Sequence, residues 1–141
     1  MMDSILIATD GSEQASMAVD HGLDLAESFD AEVHAIYVVE TEASYILTVG
    51  VSDEEMDEYR AYGEEVVSDV VERAEARGLD GVGVVKTGKI AQEVVDYAEE
   101  ADVGGVIVAE SGRGALEKYL GSSAEKIVRM SSKPVTVVRS P

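Results

Sequence analysis

The chain has 141 residues, 45% of them hydrophobic, no cysteine, and a formal charge of −18. That is one domain's length and enough apolar material to bury a core, which excludes a disordered chain. The lack of cysteine excludes disulfides, thiol nucleophiles and thiolate metal sites.

No run of eighteen apolar residues occurs, so no membrane span is expected. The opening MMDSILIATDGSE has neither the basic region nor the cleavage site of a secretion signal. A single cytoplasmic domain over residues 1–141 fits these features. Acidic residues outnumber basic ones 29 to 11, so nucleic acid and anionic membranes are repelled and neither is an expected partner. Such a surface suits a salt-rich cytoplasm, where the screening length falls to about 3 Å near 1 M salt; an acidic mesophilic protein is the alternative. The charge is uneven. Residues 111–141 hold six basic against two acidic side chains, a net +4, which leaves −22 on residues 1–110. An anion would be welcome in the cationic section, although basic residues there could instead complement helix dipoles.

In chain order, Ser4-Ile5-Leu6-Ile7-Ala8 reads as a buried strand ending at Thr9-Asp10-Gly11-Ser12. Ala15, Ala18, Val19, Gly22, Leu23, Ala26 and Phe29 follow at helical spacing, with Ser12 as N-cap. Residues 33–39 form a second strand, and a long helix over about 54–77 stops at Gly78. Val82–Val85 is a third strand. Ile90, Ala91, Val94, Val95 and Ala98 mark the next helix, Val106–Ala109 a fourth strand, and 122–131 a last helix. Pro134 opens a final strand, Val135–Val138. Strands alternating with helices predict a mostly parallel α/β sheet covered on both faces. In such sheets ligands bind beyond the carboxyl ends of the strands, where strand order reverses. The segments there are Thr9-Asp10-Gly11, Glu40, Thr87-Gly88 and Glu110–Gly114.

The segment richest in chemistry runs from Ala109-Glu110-Ser111-Gly112-Arg113-Gly114 to Gly121-Ser122-Ser123. A glycine loop lets backbone N–H groups approach an anion, and it leads into a helix N-terminus with unpaired N–H groups. Ser122-Ser123-Ala124-Glu125 also spells a capping box, so the serine could serve only its own helix. Asp10 could accept hydrogen bonds from ribose hydroxyls, or form an Asx-turn over Gly11. No catalytic set is visible: His21 sits on an acidic helix and reads as solvated, and His34 opens a strand and reads as exposed. No P-loop and no Ser-His-Asp grouping occurs. Arg129-Met130-Ser131-Ser132-Lys133 echoes a synthetase loop but lacks its His-rich partner motif, and is read as chance. The apolar stretch Tyr45–Val51 is either a lid, a partner surface, or a segment tucked against the core.

ILIATDGSE with AVDHGLDLAESFDAEVHAIYVVE resembles the first half of universal stress proteins; TGKIAQEVVDYAEEADVGGVIV resembles their middle and GSSAEKIVRMSSKPVTVV their end. The likeness spans nearly the whole chain outside 41–60 and, with the charge, suggests a haloarchaeal member. It implies a Rossmann-like, adenine nucleotide alpha hydrolase-like doubly wound sheet of five parallel strands in order 3-2-1-4-5. It also implies a homodimer, here through the edge strand of Val135, Thr136, Val137 and Val138. In the nucleotide-binding branch the family carries Gly-x2-Gly-x9-Gly-Ser/Thr, an Asp after the first strand and a Val in the second. Asp10 and Val38 match the last two, and Gly121-Ser122 the end of the motif. The rest departs: Ala109 replaces the first glycine, Glu110 adds an anion, and eight residues instead of nine separate Gly112 from Gly121.

The resemblance thus implies a stress-response domain binding ATP or AMP, with Mg²⁺ accompanying the phosphates, through Thr9, Asp10, Val38, Ala109, Gly112, Arg113, Gly114, Gly121, Ser122 and Ser123. Any hydrolysis would be slow, since no general base is apparent. A family branch without the glycine motif supplies the alternative, an interaction protein that binds no nucleotide. A phosphoacceptor receiver domain has similar length but needs an Asp at the end of strand three, where Lys86-Thr87 stands.

Overall fold

The computed structural model describes residues 2–40, 52–110 and 120–139. Five strands and four helices follow one another as β1 (Ser4–Ala8), α1 (Glu13–Phe29), β2 (Glu32–Glu40), α2 (Asp53–Ala76), β3 (Gly81–Gly88), α3 (Ile90–Glu100), β4 (Val106–Ala109), α4 (Ser122–Met130) and β5 (Val135–Val138). All strand pairs are parallel, as the alternation of elements predicts, and the order is β3-β2-β1-β4-β5, as the family resemblance implies.

The central strand explains the two-sided cover. Ile5, Leu6 and Ile7 of β1 are all fully buried. Because alternate residues of a strand point to opposite faces, a buried triplet needs helices on both sides. Ile5 and Ile7 pack with Val33, Ala35 and Ile107 against α1 and α2. Leu6 packs with Ile36, Val106 and Val108 against α3 and α4. Strand order reverses between β1 and β4, and a crevice opens there at the carboxyl ends of the strands, on the α3–α4 side.

Two expectations on helix ends hold. Ser12 Oγ accepts a hydrogen bond from Ala15 N at the start of α1. Gly78 takes a left-handed φ of 79° just beyond α2, where its N–H donates to the Glu75 carbonyl. β3 is longer than Val82–Val85 at both ends, because Gly81 pairs with Val33 and Lys86, Thr87 and Gly88 pair with Val38, Val39 and Glu40 of β2. A Cβ at Gly83 would fall 2.8 Å from Val67 Cγ2, and one at Gly81 3.1 Å from Val71 Cγ1. The absent side chains let the helix sit on the strand.

His34 corrects the exposed reading. It is buried, with only 9% of its surface accessible, and both ring nitrogens are hydrogen-bonded. Its side chain shares a sheet face with Ile36 and lies against α3, which also explains its contact with Tyr97. His21 is exposed, as expected. The 44–51 apolar segment lies outside the described residues.

Candidate functional site

The crevice is a cleft of about 470 Å³, within the size range of small-molecule sites. Its first wall is the β1–α1 turn. Thr9 is nearly buried, and its N–H donates to the Ile36 carbonyl at 3.1 Å. Its Oγ1 accepts from Gly11 N at 3.2 Å. Asp10 Oδ1 accepts from Ser12 N at 2.9 Å, so the Asx-turn forms and Asp10 still lines the cleft. Turn and site readings therefore coexist in one side chain. Gly11 has φ 79°, which bends the chain into α1.

The second wall is the start of α4. Its N-cap is Gly121, and no side chain caps it. Ser122 is the first helical residue, and the Glu125 carboxylate pairs with Arg129 rather than reaching back. The capping box written in the sequence is thus not made, because Gly121 and not Ser122 occupies the cap position. The first intrahelical bond runs from Glu125 N to Gly121 O at 2.9 Å, so the N–H groups of Ser122, Ser123 and Ala124 have no partner within the helix. All three residues line the cleft. Gly121 lines it too, but its own N–H donates to the Glu110 carbonyl at 2.5 Å, so it contributes room rather than a donor.

Between these walls Val38 and Ala109 complete the expected set. Every expected site residue that falls within the described part of the chain (Thr9, Asp10, Val38, Ala109, Gly121, Ser122, Ser123) borders this one cleft. Gly112, Arg113 and Gly114 lie outside the described residues.

The structure adds an apolar slot that the motif reading did not contain. Ile90 and Val94 of α3 line it together with Ile36, Val108 and Ile127, with which they pack. Their helical spacing was visible, but core and cleft walls have the same composition, so spacing alone could not assign them. Glu40, at the end of β2, also lines the cleft. Among the described lining residues the charged side chains are Asp10 and Glu40, both carboxylates. Glu110, read as an anion beside the phosphates, is not one of them. Its carboxylate is buried, with Oε2 3.4 Å from Arg139 Nε.

Chemically the cleft offers a slot for a flat apolar group, carboxylates that accept hydrogen bonds from hydroxyls, and a helix N-terminus that attracts an anion. Among the described residues, no group of three or more His, Cys, Asp or Glu side chains could hold a metal ion, and no helix is long and apolar enough to cross a membrane.

Comparison with known proteins gives a consistent picture. A family model described as the universal stress protein family matches residues 1–139. A universal stress protein of Methanocaldococcus jannaschii is 34% identical over 139 residues, covering 97% of this chain and 82% of that protein. One of Bacillus subtilis is 30% identical over 148 residues, covering 99% and 100%. Among solved structures, universal stress protein UspA from Lactobacillus plantarum superposes with a TM-score of 0.86 at 19% identity, covering 98% of each chain. A universal stress protein from Archaeoglobus fulgidus in complex with dAMP gives 0.73 at 18% identity, covering 97% and 98%. A universal stress protein in complex with cAMP gives 0.75 at 20%, covering 99% and 98%.

Proposed function

The chain belongs to the universal stress protein family, and from that premise we propose that it is a cytoplasmic, homodimeric stress-response protein whose cleft holds an adenine nucleotide. One observation carries the reading: the Asp10 carboxylate and the first turn of α4 converge on a single cleft with an apolar slot between them. Those three surfaces match a nucleotide's ribose, phosphate and base. The two fold neighbours in complex with dAMP and with cAMP support a ligand of this class.

In this reading Thr9, Asp10 and the Val38 backbone hold the nucleoside. Ser122 and Ser123 meet the phosphates, with Ala109 and Gly121 leaving them room and Gly112, Arg113 and Gly114 completing the loop. AMP or ATP would fit this assignment, with Mg²⁺ accompanying a triphosphate. The protein acts by binding; any hydrolysis is slow, because the bases among the described cleft residues are the carboxylates of Asp10, already engaged by Ser12 N, and Glu40. Dimerisation would use Val135, Thr136, Val137 and Val138: β5 is the last strand of the sheet, and an unpaired edge invites a second copy.

Titration calorimetry with AMP, ATP and ATP–Mg²⁺ tests the site. Heat of binding and a rise in melting temperature are expected, along with excess absorbance at 260 nm in material purified without added nucleotide. No heat and no shift at millimolar ligand would leave the second reading, an interaction protein without nucleotide. The two carboxylates in the cleft favour that second reading, since they oppose a polyanion. For the salt-rich, haloarchaeal setting, the melting temperature should rise between roughly 0.1 M and roughly 2 M KCl as screening relieves the charge of −18. A flat response would refute it.

A further inference from the structure

A polar chain on β2 and α3 plays no part in the cleft. His34 Nε2 lies 2.6 Å from Glu32 Oε1, and its Nδ1 lies 2.6 Å from the Tyr97 hydroxyl oxygen. A carboxylate only accepts hydrogen bonds, so the neutral imidazole carries its proton on Nε2 and donates it to Glu32. Nδ1 is then the acceptor, and the Tyr97 hydroxyl donates to it. Hydroxyl, base and orienting carboxylate stand in the order that activates a nucleophile. The chain also runs to the surface, since the Glu32 side chain is 44% exposed and Tyr97 is half-buried.

We propose that Tyr97 is a nucleophile, with His34 as its general base and Glu32 orienting the ring, and that it takes an acyl group from an uncharged activated ester. The phenol oxygen bonds to the acyl carbon while its proton passes to His34 Nδ1. The bond from that carbon to the leaving oxygen breaks, and the leaving group takes the proton from Nδ1. The products are a tyrosyl ester and an alcohol, with the imidazole neutral again.

Two features of the surroundings define this chemistry. Burial first, and then the Glu32 charge, hold the Tyr97 phenol above its ordinary pKa. Free phenolate is therefore scarce at neutral pH, and the nucleophile depends on the adjacent base. The donor is uncharged because α3 itself carries Glu93, Asp96, Glu99 and Glu100 on a chain of charge −18, which repels phosphoryl donors.

The test is acetylation of the intact protein by p-nitrophenyl acetate, followed by mass mapping of its six tyrosines. Tyr97 is expected to react about a hundredfold faster than the exposed Tyr62, the gain typical of a positioned base. His34→Gln should bring Tyr97 down to the rate of Tyr62. Glu32→Ala, at a half-exposed site that leaves the fold intact, should do the same by removing the acceptor that holds the ring in its tautomer. Equal labelling of Tyr97 and Tyr62 would overturn the proposal, because a purely structural polar chain confers no rate advantage. So would a folded Glu32→Ala variant that acetylates Tyr97 at the parent rate.

Discussion

Arg139 Nε lies 3.4 Å from Glu110 Oε2, pairing a largely exposed guanidinium just past β5 with a carboxylate only 5% exposed at the end of β4. The backbone of Glu110 is engaged as well: its N–H donates to the Val138 carbonyl at 2.9 Å, and its carbonyl accepts from Gly121 N. One residue therefore joins the edge strand to the N-cap of α4.

Removing the guanidinium leaves a buried carboxylate with less compensation. Arg139→Ala is expected to lower the unfolding free energy by roughly 1–2 kcal/mol, since bonds to buried charged groups exceed neutral ones. The urea midpoint should fall with an unchanged slope. Adding Glu110→Gln to Arg139→Ala should recover part of the loss, because the buried charge is then gone; a double-mutant cycle measures the coupling.

Gly11 lies between two constraints. Its φ is 79°, and a Cβ there would sit 2.7 Å from the Tyr62 hydroxyl and 2.8 Å from Val66 Cγ2. Gly11→Ala is expected to cost about 2–3 kcal/mol from the left-handed backbone and the forced repacking together. Tyr62→Phe in the same chain should return some of that loss in thermal melts, as the nearest contact is the hydroxyl.

Asp10 can be separated into its two duties. Asp10→Asn keeps an acceptor for Ser12 N and should melt like the parent, while Asp10→Ala loses the turn and should melt lower. Both are expected to weaken AMP binding at least about tenfold by calorimetry, the equivalent of about 1.4 kcal/mol. Parental affinity in Asp10→Asn would remove its carboxylate from the ribose site.

Acid stability has a local contributor. The hydrogen bond from Lys133, and then its charge, hold the Asp102 carboxyl below its ordinary pKa. A carboxyl whose folded pKa is depressed adds stability that is present above its unfolded pKa and is lost as pH falls through the folded value. Lys133→Met should therefore be less stable than the parent at neutral pH, and the gap should close as Asp102 protonates in both. Paired urea melts from neutral to strongly acidic pH would show the convergence.

The sheet was legible because its central residues carry a two-sided signal. A short unbroken run such as Ile5-Leu6-Ile7 can be buried only between two helical layers, and Val-rich strands separated by amphipathic helices leave few topologies open. The ends of β3 were not legible, because Gly81 and Lys86–Gly88 are made strand by pairing with Val33 and with Val38–Glu40, residues on another element. His34 was misread for a similar reason. A histidine at a strand start looks solvated until the helix bearing Tyr97 is laid across it.

By itself the sequence determined the family, through that resemblance the strand order, and the segments from which the cleft would be built. The elements and those segments depend on local pattern: short apolar runs, helical spacing, and residues that stand directly after strands. Only the tertiary structure decided how these residues are used. It made Gly121 the cap in place of Ser122 and committed the Gly121 N–H to Glu110. It also drew Ile90 and Val94 into the cleft wall and closed the Glu32–His34–Tyr97 chain. Each of those outcomes depends on groups that are distant in the chain and adjacent in space, and hydrogen bonds and packing are settled by that adjacency.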